Sequence, residues 1–364
     1  VGGGPAGSTC AWGLRRAGLD VLVLDRAAFP RDKPCAGWIT PPVLEALGLP
    51  AEEYREGRVL QEITGLRTSL LGGAAIETRY PRPVSFGIRR CEFDAYLLRR
   101  SGAPTRTEHV TGLRRAGGSW IVNEAFRAPV LIGAGGHFCP VARLLHGRPE
   151  RDVVVAAQEV EFPMDERQRS ACPVRPEVPE LFFCADRRGY GWCFRKGDFL
   201  NVGFGRQDPE GLGARVRAFV ERLRVEGRLP AGTPSRWRGH AYLLNRTARR
   251  PLAGDGVLLL GDAAGLAYSE SGEGIRPAVE SALLAVRAVL DAGGRHARED
   301  LEPYAEAARR RFGPRGTRGP GSTPLPAFAS ALAGWLLGNP WFTRHVLIER
   351  WFLHAHEEAL PRAV

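Results

Sequence analysis

The sequence GGGPAG at residues 2–7 decides the fold class of this chain. Gly2, Gly4 and Gly7 satisfy the G-x-G-x-x-G pattern of a dinucleotide-binding turn. The first glycine makes the tight turn, the second lets the backbone approach a pyrophosphate, and the third lets the next helix pack against a strand. Residues 5–17 are predicted to form that helix, whose N-terminus offers free N–H groups to phosphates. The stretch therefore predicts a Rossmann-like α/β fold.

An acidic residue follows the glycine turn at the spacing that ribose recognition requires. Asp25 ends an apolar segment, VLVLD at residues 21–25, which is predicted to be a buried strand. An acid there accepts hydrogen bonds from ribose hydroxyls and disfavours a 2′-phosphate. Arg26 follows it and joins the cofactor-binding candidates. The strand that should precede Gly2 is absent from the sequence, so we expect the natural protein to be longer at its N-terminus and this chain to bind its nucleotide less firmly.

A second glycine motif stands far along the chain. It reads LGDAAG at residues 260–265 and SGEGI at residues 271–275, after a predicted strand, VLLL. The strand delivers Asp262 to the head of a helix beside small residues, where a carboxylate can accept from the hydroxyls of a ribityl chain. We expect Gly261 and Gly272 to permit close approach, and the backbone N–H groups near Gly274 and Ile275 to face a flavin ring.

These motifs carry a resemblance to a known family. GDAAGL followed by GEGI resembles the C-terminal FAD motif of the para-hydroxybenzoate-hydroxylase-type flavoproteins. Arg90, with Phe93, Asp94 and Leu97, resembles the R-x-x-F-D-x-x-L helix of the same fold, where the arginine approaches the phosphates of the cofactor. A surface arginine on an amphipathic helix is the alternative. The resemblance implies that both glycine motifs serve one FAD.

A third segment departs from the family pattern. LIGAGG at residues 131–136, with Val141 and Arg143 after it, resembles the G-A-D-G-x-x-S-x-V-R segment. Gly135 stands where the family has aspartate, and Cys139 stands near the serine position. In related hydroxylases that aspartate is associated with both FAD and the reduced nicotinamide. The departure leaves the FAD prediction unchanged, and NAD(P)H is the expected electron donor.

Two further segments narrow the resemblance to one branch. KPCAGWI at residues 33–39 resembles the K-x-C-G-G-x-I segment of the geranylgeranyl reductase family. GYGWCF at residues 189–194 resembles its Y-x-W-x-F element, although the flanking prolines are missing. Members of that family use reduced FAD to saturate isolated double bonds in prenyl chains. Reduction of such a double bond requires a hydride donor, a nearby acid and an apolar tunnel for the chain.

The resemblance also points to a thiol and an aromatic row. It implies that Cys35 lies near the isoalloxazine, where a thiol could donate a proton or gate the site; a buried structural cysteine is the alternative. Tyr190, Trp192 and Phe194 alternate along a predicted strand and so share one face. They are candidates for the wall of a substrate tunnel, with the plain core of the sheet as the alternative.

The order of elements predicts the domain organisation. Predicted strands at residues 153–162, 180–185, 190–195 and 199–205 follow one another through short turns, which indicates an antiparallel sheet. We expect a discontinuous FAD-binding domain over 1–50, 86–150 and 250–295, with a long helix from the second glycine motif to about residue 290. The substrate domain covers 51–85 and 151–249, and a linker and C-terminal helical region covers 296–364. Within that region, residues 309–325 are expected to form a linker or mobile loop.

Composition excludes several other classes. The net charge of +11 comes almost entirely from scattered arginines, so no nucleic-acid-binding stripe is predicted. The odd number of cysteines, without a C-x-x-C pair, favours a reduced cytoplasmic setting. His354 and His356, two apart on a predicted helix, point to different faces, so no metal site is assigned. The aromatic tail at residues 326–360 is interpreted as a helical lid, with peripheral contact at the inner face of a membrane as the alternative.

The predicted function is thus an FAD-dependent reductase of an apolar or isoprenoid substrate. The main alternative is an FAD-dependent monooxygenase, which consumes O₂ in step with product, whereas a reductase works anaerobically. A halogenase is disfavoured because no W-x-W-x-I-P element is present. The non-enzymatic alternative is a flavin-binding protein without turnover, motivated by Gly135 and by the missing first strand.

Overall fold

The glycine turn leads directly into a helix, as the sequence predicts. The computed structural model describes residues 1–147, 153–316 and 336–361. Its helices are α1 (Pro5–Arg16), α2 (Pro41–Leu47), α3 (Ala51–Arg55), α4 (Arg90–Arg100), α5 (Pro140–His146), α6 (Glu166–Ala171), α7 (Leu212–Val225), α8 (Gly261–Ala264), α9 (Ile275–Asp291), α10 (Arg298–Phe312) and α11 (Pro340–Phe342), which continues as a π-helix over Thr343–Phe352.

The strands belong for the most part to a small, largely parallel layer or to a seven-stranded sheet. They are β1 (Val23–Asp25), β2 (Trp38–Ile39), β3 (Leu60–Ile63), β4 (Gly65–Leu70), β5 (Ala75–Arg79), β6 (Ser85–Ile88), β7 (Thr105–Thr107), β8 (Leu113–Ala116), β9 (Ser119–Val122), β10 (Phe126–Ala128), β11 (Leu131–Gly133), β12 (Val154–Pro163), β13 (Glu180–Phe183), β14 (Gly189–Lys196), β15 (Phe199–Arg206), β16 (Arg238–Leu243), β17 (Ala253–Gly254) and β18 (Val257–Leu259).

The nucleotide-binding layer is built from two short parallel pairs. β1 pairs with β7 and β11 pairs with β18, both in parallel. Residues 1 and 2 lie between them, because the N–H of Gly2 donates to the carbonyl oxygen of Leu24 and the N–H of Ala134 donates to that of Val1. α1 and α9 cover one side of this layer. A Cβ at Gly13 of α1 would lie 2.8 Å from Val286 of α9, so the glycine permits their close packing.

A seven-stranded sheet forms the second region, in the order β16-β12-β15-β14-β13-β4-β5. Its pairs are antiparallel, as predicted for the strands after residue 153, except that β13 and β4 are parallel. One face packs against α7 through Val216, Phe219 and Leu223. The other face carries Tyr190, Trp192 and Phe194 and turns toward the nucleotide-binding layer.

Two predictions about connecting segments were wrong. The long helix expected after the second glycine motif is two helices, because Gly265 takes φ +71° and ends α8, and α9 begins only at Ile275. Residues 309–312, expected in a linker, form the last turn of α10. Leu301 and Ala308, in the preceding turns of this helix, are buried. Residues 317–325 of that expected linker lie outside the described residues, as does the start of the expected C-terminal helical region, at residues 326–335.

Candidate functional site

A cavity of about 700 Å³ lies between the nucleotide-binding layer and the seven-stranded sheet. Its volume falls within the range of about 300–1,000 Å³ that is typical of cofactor pockets. It brings together most of the residues singled out in the sequence, namely Gly2, Gly4, Asp25, Arg26, Cys35, Arg90, Tyr190, Trp192, Asp262, Gly272, Gly274 and Ile275. Three of the predicted site residues do not line the cavity: Gly7, Gly261 and Phe194.

The glycine turn holds its acid in place. The N–H of Gly3 donates to Asp25 Oδ2 at 2.7 Å, and the N–H of Ala27 donates to Oδ1 at 3.0 Å. Gly2 takes φ +103°, and a Cβ there would lie 2.4 Å from the carbonyl oxygen of Ala134. At Gly4 a Cβ would meet nothing closer than Arg31 at 3.7 Å. The backbone at Gly4 therefore leaves open space where a phosphate could approach.

The glycines behind the wall serve packing. A Cβ at Gly7 would lie 1.8 Å from the carbonyl oxygen of Gly2, so only glycine lets α1 start beside the turn. Gly261 takes φ +52°, and its Cβ would lie 3.1 Å from Ala278 of α9. Gly7 thus lies in the first turn of α1 and Gly261 at the start of α8. Their roles in cofactor binding remain predictions.

Arg90 presents a permanent cation to the cavity. Its Nε and Nη2 donate to the two carboxylate oxygens of Asp94, each at 2.8 Å, one helical turn away on α4. Burial works to lower the pKa of Arg90, but Asp94 and Cys35 outweigh it and raise the pKa above its usual value. Arg31 adds a second cation, 3.7 Å from Asp25 and 3.6 Å from Asp94. This end of the cavity suits a phosphate group.

A cluster that the sequence did not reveal surrounds Asp262. Lys33 Nζ lies 3.0 Å from both ring nitrogens of His240, and His240 Nε2 lies 3.7 Å from Asp262 Oδ2. Burial, reinforced by Arg90, lowers the pKa of Lys33 to about 8. Burial also works to raise the pKa of Asp262, but His240, Lys33 and Arg90 outweigh it and hold the pKa below its usual value. His240 lies on β16 and carried no sequence signal, since only the pairing of the sheet brings it to the cavity.

The loop before α9 closes the other end of the cavity. Gly272 takes φ +73°, and a Cβ there would lie 2.4 Å from the hydroxyl of Tyr242. Glu273 Oε1 accepts from the N–H of Arg276 at 2.8 Å, and its Oε2 has no hydrogen-bond partner within the described ranges. Burial raises the pKa of Glu273 to about 7. The sequence motif contained this residue, but nothing in the pattern distinguished its carboxyl group.

The segment that carries Cys35 is anchored to the seven-stranded sheet. Asn201 Nδ2 donates to the carbonyl oxygen of Cys35 at 3.1 Å. Lys196 Nζ donates to the carbonyl oxygens of Ala36 at 3.0 Å and Ile88 at 2.9 Å. The side chain of Lys196 is 1% exposed, so these bonds are shielded from water. The anchoring fixes Cys35 in the wall of the cavity. Its place near the isoalloxazine remains a prediction.

The predicted aromatic row separates the large cavity from a second, apolar one of about 220 Å³. Tyr190 and Trp192 line both cavities. Phe352, at the end of the π-helix, lies 5.5 Å from Tyr190 between ring centroids, and Phe194 packs at 5.6 Å against Trp38. Leu347 and Phe352 are buried against this wall. The C-terminal helix therefore forms one side of the second cavity. Its role as a lid remains a prediction.

His354 and His356 do not lie on a helix, contrary to the prediction. The two residues follow the π-helix in a turn where His354 takes φ +46°, so they do not occupy separate helix faces. His354 Nδ1 and His356 Nε2 lie 3.6 Å and 3.8 Å from Glu357 Oε1. The charge of Glu357 is already balanced by Arg276 and Arg311, which lie 3.8 Å and 3.5 Å from its Oε2. The absence of a metal remains a prediction.

Comparisons with known proteins agree with this geometry. Residues 1–31 match the description of an NAD(P)-binding Rossmann-like domain. The chain is 32% identical to a menaquinone reductase of Mycobacterium tuberculosis, over 78% of this chain and 74% of the relative. It is 30% identical to digeranylgeranylglycerophospholipid reductase 1 of Methanopyrus kandleri, over 80% of each chain. A geranylgeranyl diphosphate reductase of Rhodobacter capsulatus is 29% identical, over 85% of this chain and 75% of the relative.

Solved structures share the fold. A geranylgeranyl bacteriochlorophyll reductase-like protein of Thermoplasma acidophilum superimposes with a TM-score of 0.73 at 20% identity, over 92% of this chain and 86% of that chain. A halogenase PltM variant in complex with FAD gives a TM-score of 0.68 at 17% identity, over 96% and 77%. Along the described residues, no helix is both long and apolar enough to span a bilayer.

The family follows from the sequence relatives, and the glycine turn, the second glycine motif and the cavity between them agree with it. This chain belongs to the geranylgeranyl reductase family of FAD-dependent oxidoreductases.

Proposed function

We propose that this chain reduces carbon–carbon double bonds in an isoprenoid chain, with FAD in the large cavity and the prenyl chain in the apolar one. The observation that carries the proposal is the shared wall. Tyr190 and Trp192 line both cavities, so a chain in the smaller one would end beside the large one. Relatives that are named for prenyl substrates support the same substrate class.

Different residues of the large cavity would bind different parts of the cofactor. Gly4 would bind the pyrophosphate through its N–H group and Arg90 through its fixed cation, beside the turn that Gly2 makes. Asp25 would accept from the ribose of the adenosine half. Asp262 would accept from the ribityl hydroxyls, and the N–H groups of Gly274 and Ile275 would face the ring. Reduced FAD supplies a hydride from its N5 position, and the protein's part is to hold the acceptor bond next to it.

The second cavity fits the substrate better than it fits a polar ligand. Phe183, Leu347 and Trp351 line it with Tyr190 and Trp192, and the C-terminal helix forms one side of it. An apolar wall excludes water, which favours transfer of the hydride to carbon over its loss to solvent. Arg187 and Arg188 lie at the margin of this cavity, where they would attract an anionic head group.

The electron donor and the membrane contact belong to the same proposal. We propose NAD(P)H as the donor, since the flavin must be reduced again after each double bond. We also propose peripheral contact with a membrane that supplies the lipid, through the outer side of the C-terminal helix, where Trp341 is 65% exposed. The inner side of that helix packs on the sheet, so the lid and the membrane contact are compatible.

The test is an anaerobic single turnover with geranylgeranyl diphosphate as the probe. The protein is purified with FAD, reduced with dithionite or NAD(P)H, and mixed with the probe without oxygen. We expect reoxidation of the flavin and a product that carries two additional hydrogens for each reduced bond. A product that contains oxygen, formed only in air, would instead identify a monooxygenase. A flavin that stays reduced with every prenyl probe would contradict the proposed function.

A further inference from the structure

Two carboxylates of β12 share the cavity face of the seven-stranded sheet. Glu159 and Glu161 are two residues apart, and the register of the sheet places Glu159 opposite Gly203, which in turn lies opposite Trp192. Side chains at opposite positions of an antiparallel pair project from the same face. Glu159, the bare position of Gly203 and Trp192 therefore form one row across the floor of the large cavity.

The missing side chain at Gly203 decides what stands next to Glu159. A Cβ at Gly203 would lie 2.0 Å from the indole of Trp192, so the indole lies over this glycine. The next row contains Glu161, Asn201 and Phe194. Asn201 Nδ2 donates to Glu159 Oε2 and to Glu161 Oε2, each at 3.2 Å, and Asn201 Oδ1 accepts from Trp192 Nε1 at 2.7 Å.

The two carboxylates differ in their counter-charges. Lys196 forms an ion pair with Glu161, and Arg89 lies 3.3 Å from the same carboxylate. For Glu159 no ion pair occurs among the described residues, and its side chain is 7% exposed in the cavity wall. Arg238 lies opposite Glu159 on β16, but it pairs instead with Asp32, with 2.8 Å between Nη1 and Oδ2. The backbone of Cys35 lies beside the pair, since Asn201 also donates to its carbonyl oxygen.

We propose that Glu159 is the acid that protonates the substrate carbon during double-bond reduction. This inference rests on the proposed function and adds a catalytic residue that the sequence motifs do not contain. The bond C=C gains a hydride from the reduced flavin on one carbon and the proton of Glu159 on the other. Glu159 is left as a carboxylate and takes a proton back from solvent. The flavin supplies both electrons, so the step is balanced.

The pKa shifts of Glu159 and Glu161 fit a proton donor beside a permanent anion. Burial raises the pKa of Glu159 against the opposing effect of Lys196, and the charge of Glu161 raises it further. Burial works in the same direction on Glu161, but Lys196, Asn201 and Arg89 outweigh it and hold its pKa below the usual value. Adjacent carboxyl groups with pKa values pushed apart are a recurrent mark of an acid beside a fixed anion. The indole of Trp192 would also stabilise positive charge that develops on the protonated bond.

The test compares Glu159→Gln, Glu159→Asp and the control Glu180→Gln in the anaerobic single turnover with geranylgeranyl diphosphate. Glu180 is 3% exposed with a raised pKa in the same sheet, but its carboxylate faces Arg228 and Arg67 on the opposite face. We expect Glu159→Gln to slow flavin reoxidation about 100-fold or more, with unchanged flavin content and dithionite reduction. Glu159→Asp should restore part of the rate, and Glu180→Gln should stay within about threefold of wild type.

Two further readouts keep the inference separate from the proposed function. The rate of flavin reoxidation in the wild type should fall as pH rises through the pKa of Glu159. This decrease should be absent from the pH profile of Glu159→Gln. A wild-type rate of flavin reoxidation in Glu159→Gln overturns the inference. If no prenyl probe reoxidises the wild-type flavin, the proposed function fails and the catalytic role of Glu159 fails with it. Infrared difference titration tests the inference separately when the wild type does turn over: a protonated carboxyl band that is lost in Glu159→Gln supports it, and a carboxylate already ionised at about pH 5 overturns it.

Discussion

The hydroxyl of Tyr190 donates a 2.6 Å hydrogen bond to the carbonyl oxygen of Ser271. This bond joins β14 of the seven-stranded sheet to the loop before α9, so the proposed substrate wall and the proposed flavin loop are held together. The loop that it supports continues through Gly272 to Gly274, where the backbone lines the large cavity. Any change at this bond is therefore transmitted to both cavities.

Tyr190→Phe should weaken flavin binding without removing the aromatic wall. The variant keeps the ring but leaves the carbonyl oxygen of Ser271 without its donor, at a cost of about 1 kcal/mol. We expect about a fivefold weaker FAD affinity, measured by flavin fluorescence during titration. Tyr54→Phe is the matched control, because the hydroxyl of Tyr54 is buried without a partner in the part of the chain described. Equal FAD affinity for wild type and Tyr190→Phe would show that the bond does not support the loop.

Asp262→Asn should lower FAD retention. The substitution keeps the shape of the side chain but removes the charge that accepts hydrogen bonds and faces Lys33 and His240. Loss of hydrogen bonds to a charged group costs about 1.5–3 kcal/mol, which corresponds to a 10- to 100-fold weaker affinity. The ratio of flavin to protein absorbance after gel filtration measures the effect. Asp291→Asn, at an exposed ion pair at the end of α9, should retain wild-type flavin content; if both variants retain it equally, the assigned role of Asp262 is wrong.

Arg90→Ala should destabilise the protein as well as its cofactor site. The change leaves the carboxylate of Asp94, whose side chain is 0% exposed, with the more distant Arg31 as its ion-pair partner among the described residues. Breaking a buried pair from one side costs about 3 kcal/mol. We expect this loss in denaturant unfolding of the flavin-free protein, and a smaller loss in Arg90→Ala/Asp94→Ala, where no charge is stranded. Arg99→Ala, on the exposed side of α4, is the control. Additive effects of the two substitutions would argue against coupling.

The stability of the flavin-free protein should depend on pH through Glu273. Its pKa is raised to about 7 by burial, above the model-compound value of 4.5. Between these two values the folded state holds a proton that the unfolded chain has released, so the free energy of unfolding falls as pH rises through this window. Glu273→Gln should lack this decrease and be the more stable protein above about pH 7. Parallel pH profiles for the two proteins, measured by urea unfolding, would contradict the prediction.

Occupancy of the cavity should protect Cys35 from alkylation. Of the seven free cysteines, Cys35 and Cys91 are partly exposed, and the other five are buried. We expect iodoacetamide to modify both in the flavin-free protein. FAD together with a prenyl probe should slow the modification at Cys35 and leave Cys91 unchanged, as read by peptide mass spectrometry. Equal reactivity of Cys35 with and without ligands would place it away from the bound molecules.

The elements that could be predicted are those with a local signal. The bounds of α1 and of β12 to β15 lie within a few residues of their predicted values, since turns and periodicity are encoded in neighbouring residues. The break between α8 and α9 was missed because it depends on the left-handed backbone of Gly265, for which helical periodicity gives no sign. The parallel pairing of β4 with β13 joins segments more than a hundred residues apart, and no local pattern specifies it.

The sequence by itself determined the cofactor class and the family, because FAD recognition uses short glycine and acid motifs whose spacing follows from phosphate and ribose geometry. It also determined that Tyr190, Trp192 and Phe194 share a face, since strand residues alternate. Only the tertiary structure decided which polar groups meet them. Lys33, His240 and Asp262 come from three distant segments, and Glu159 stands beside Trp192 only because Gly203 lies between them in the sheet. Such contacts depend on register and on long-range packing, which residue type and local spacing do not encode.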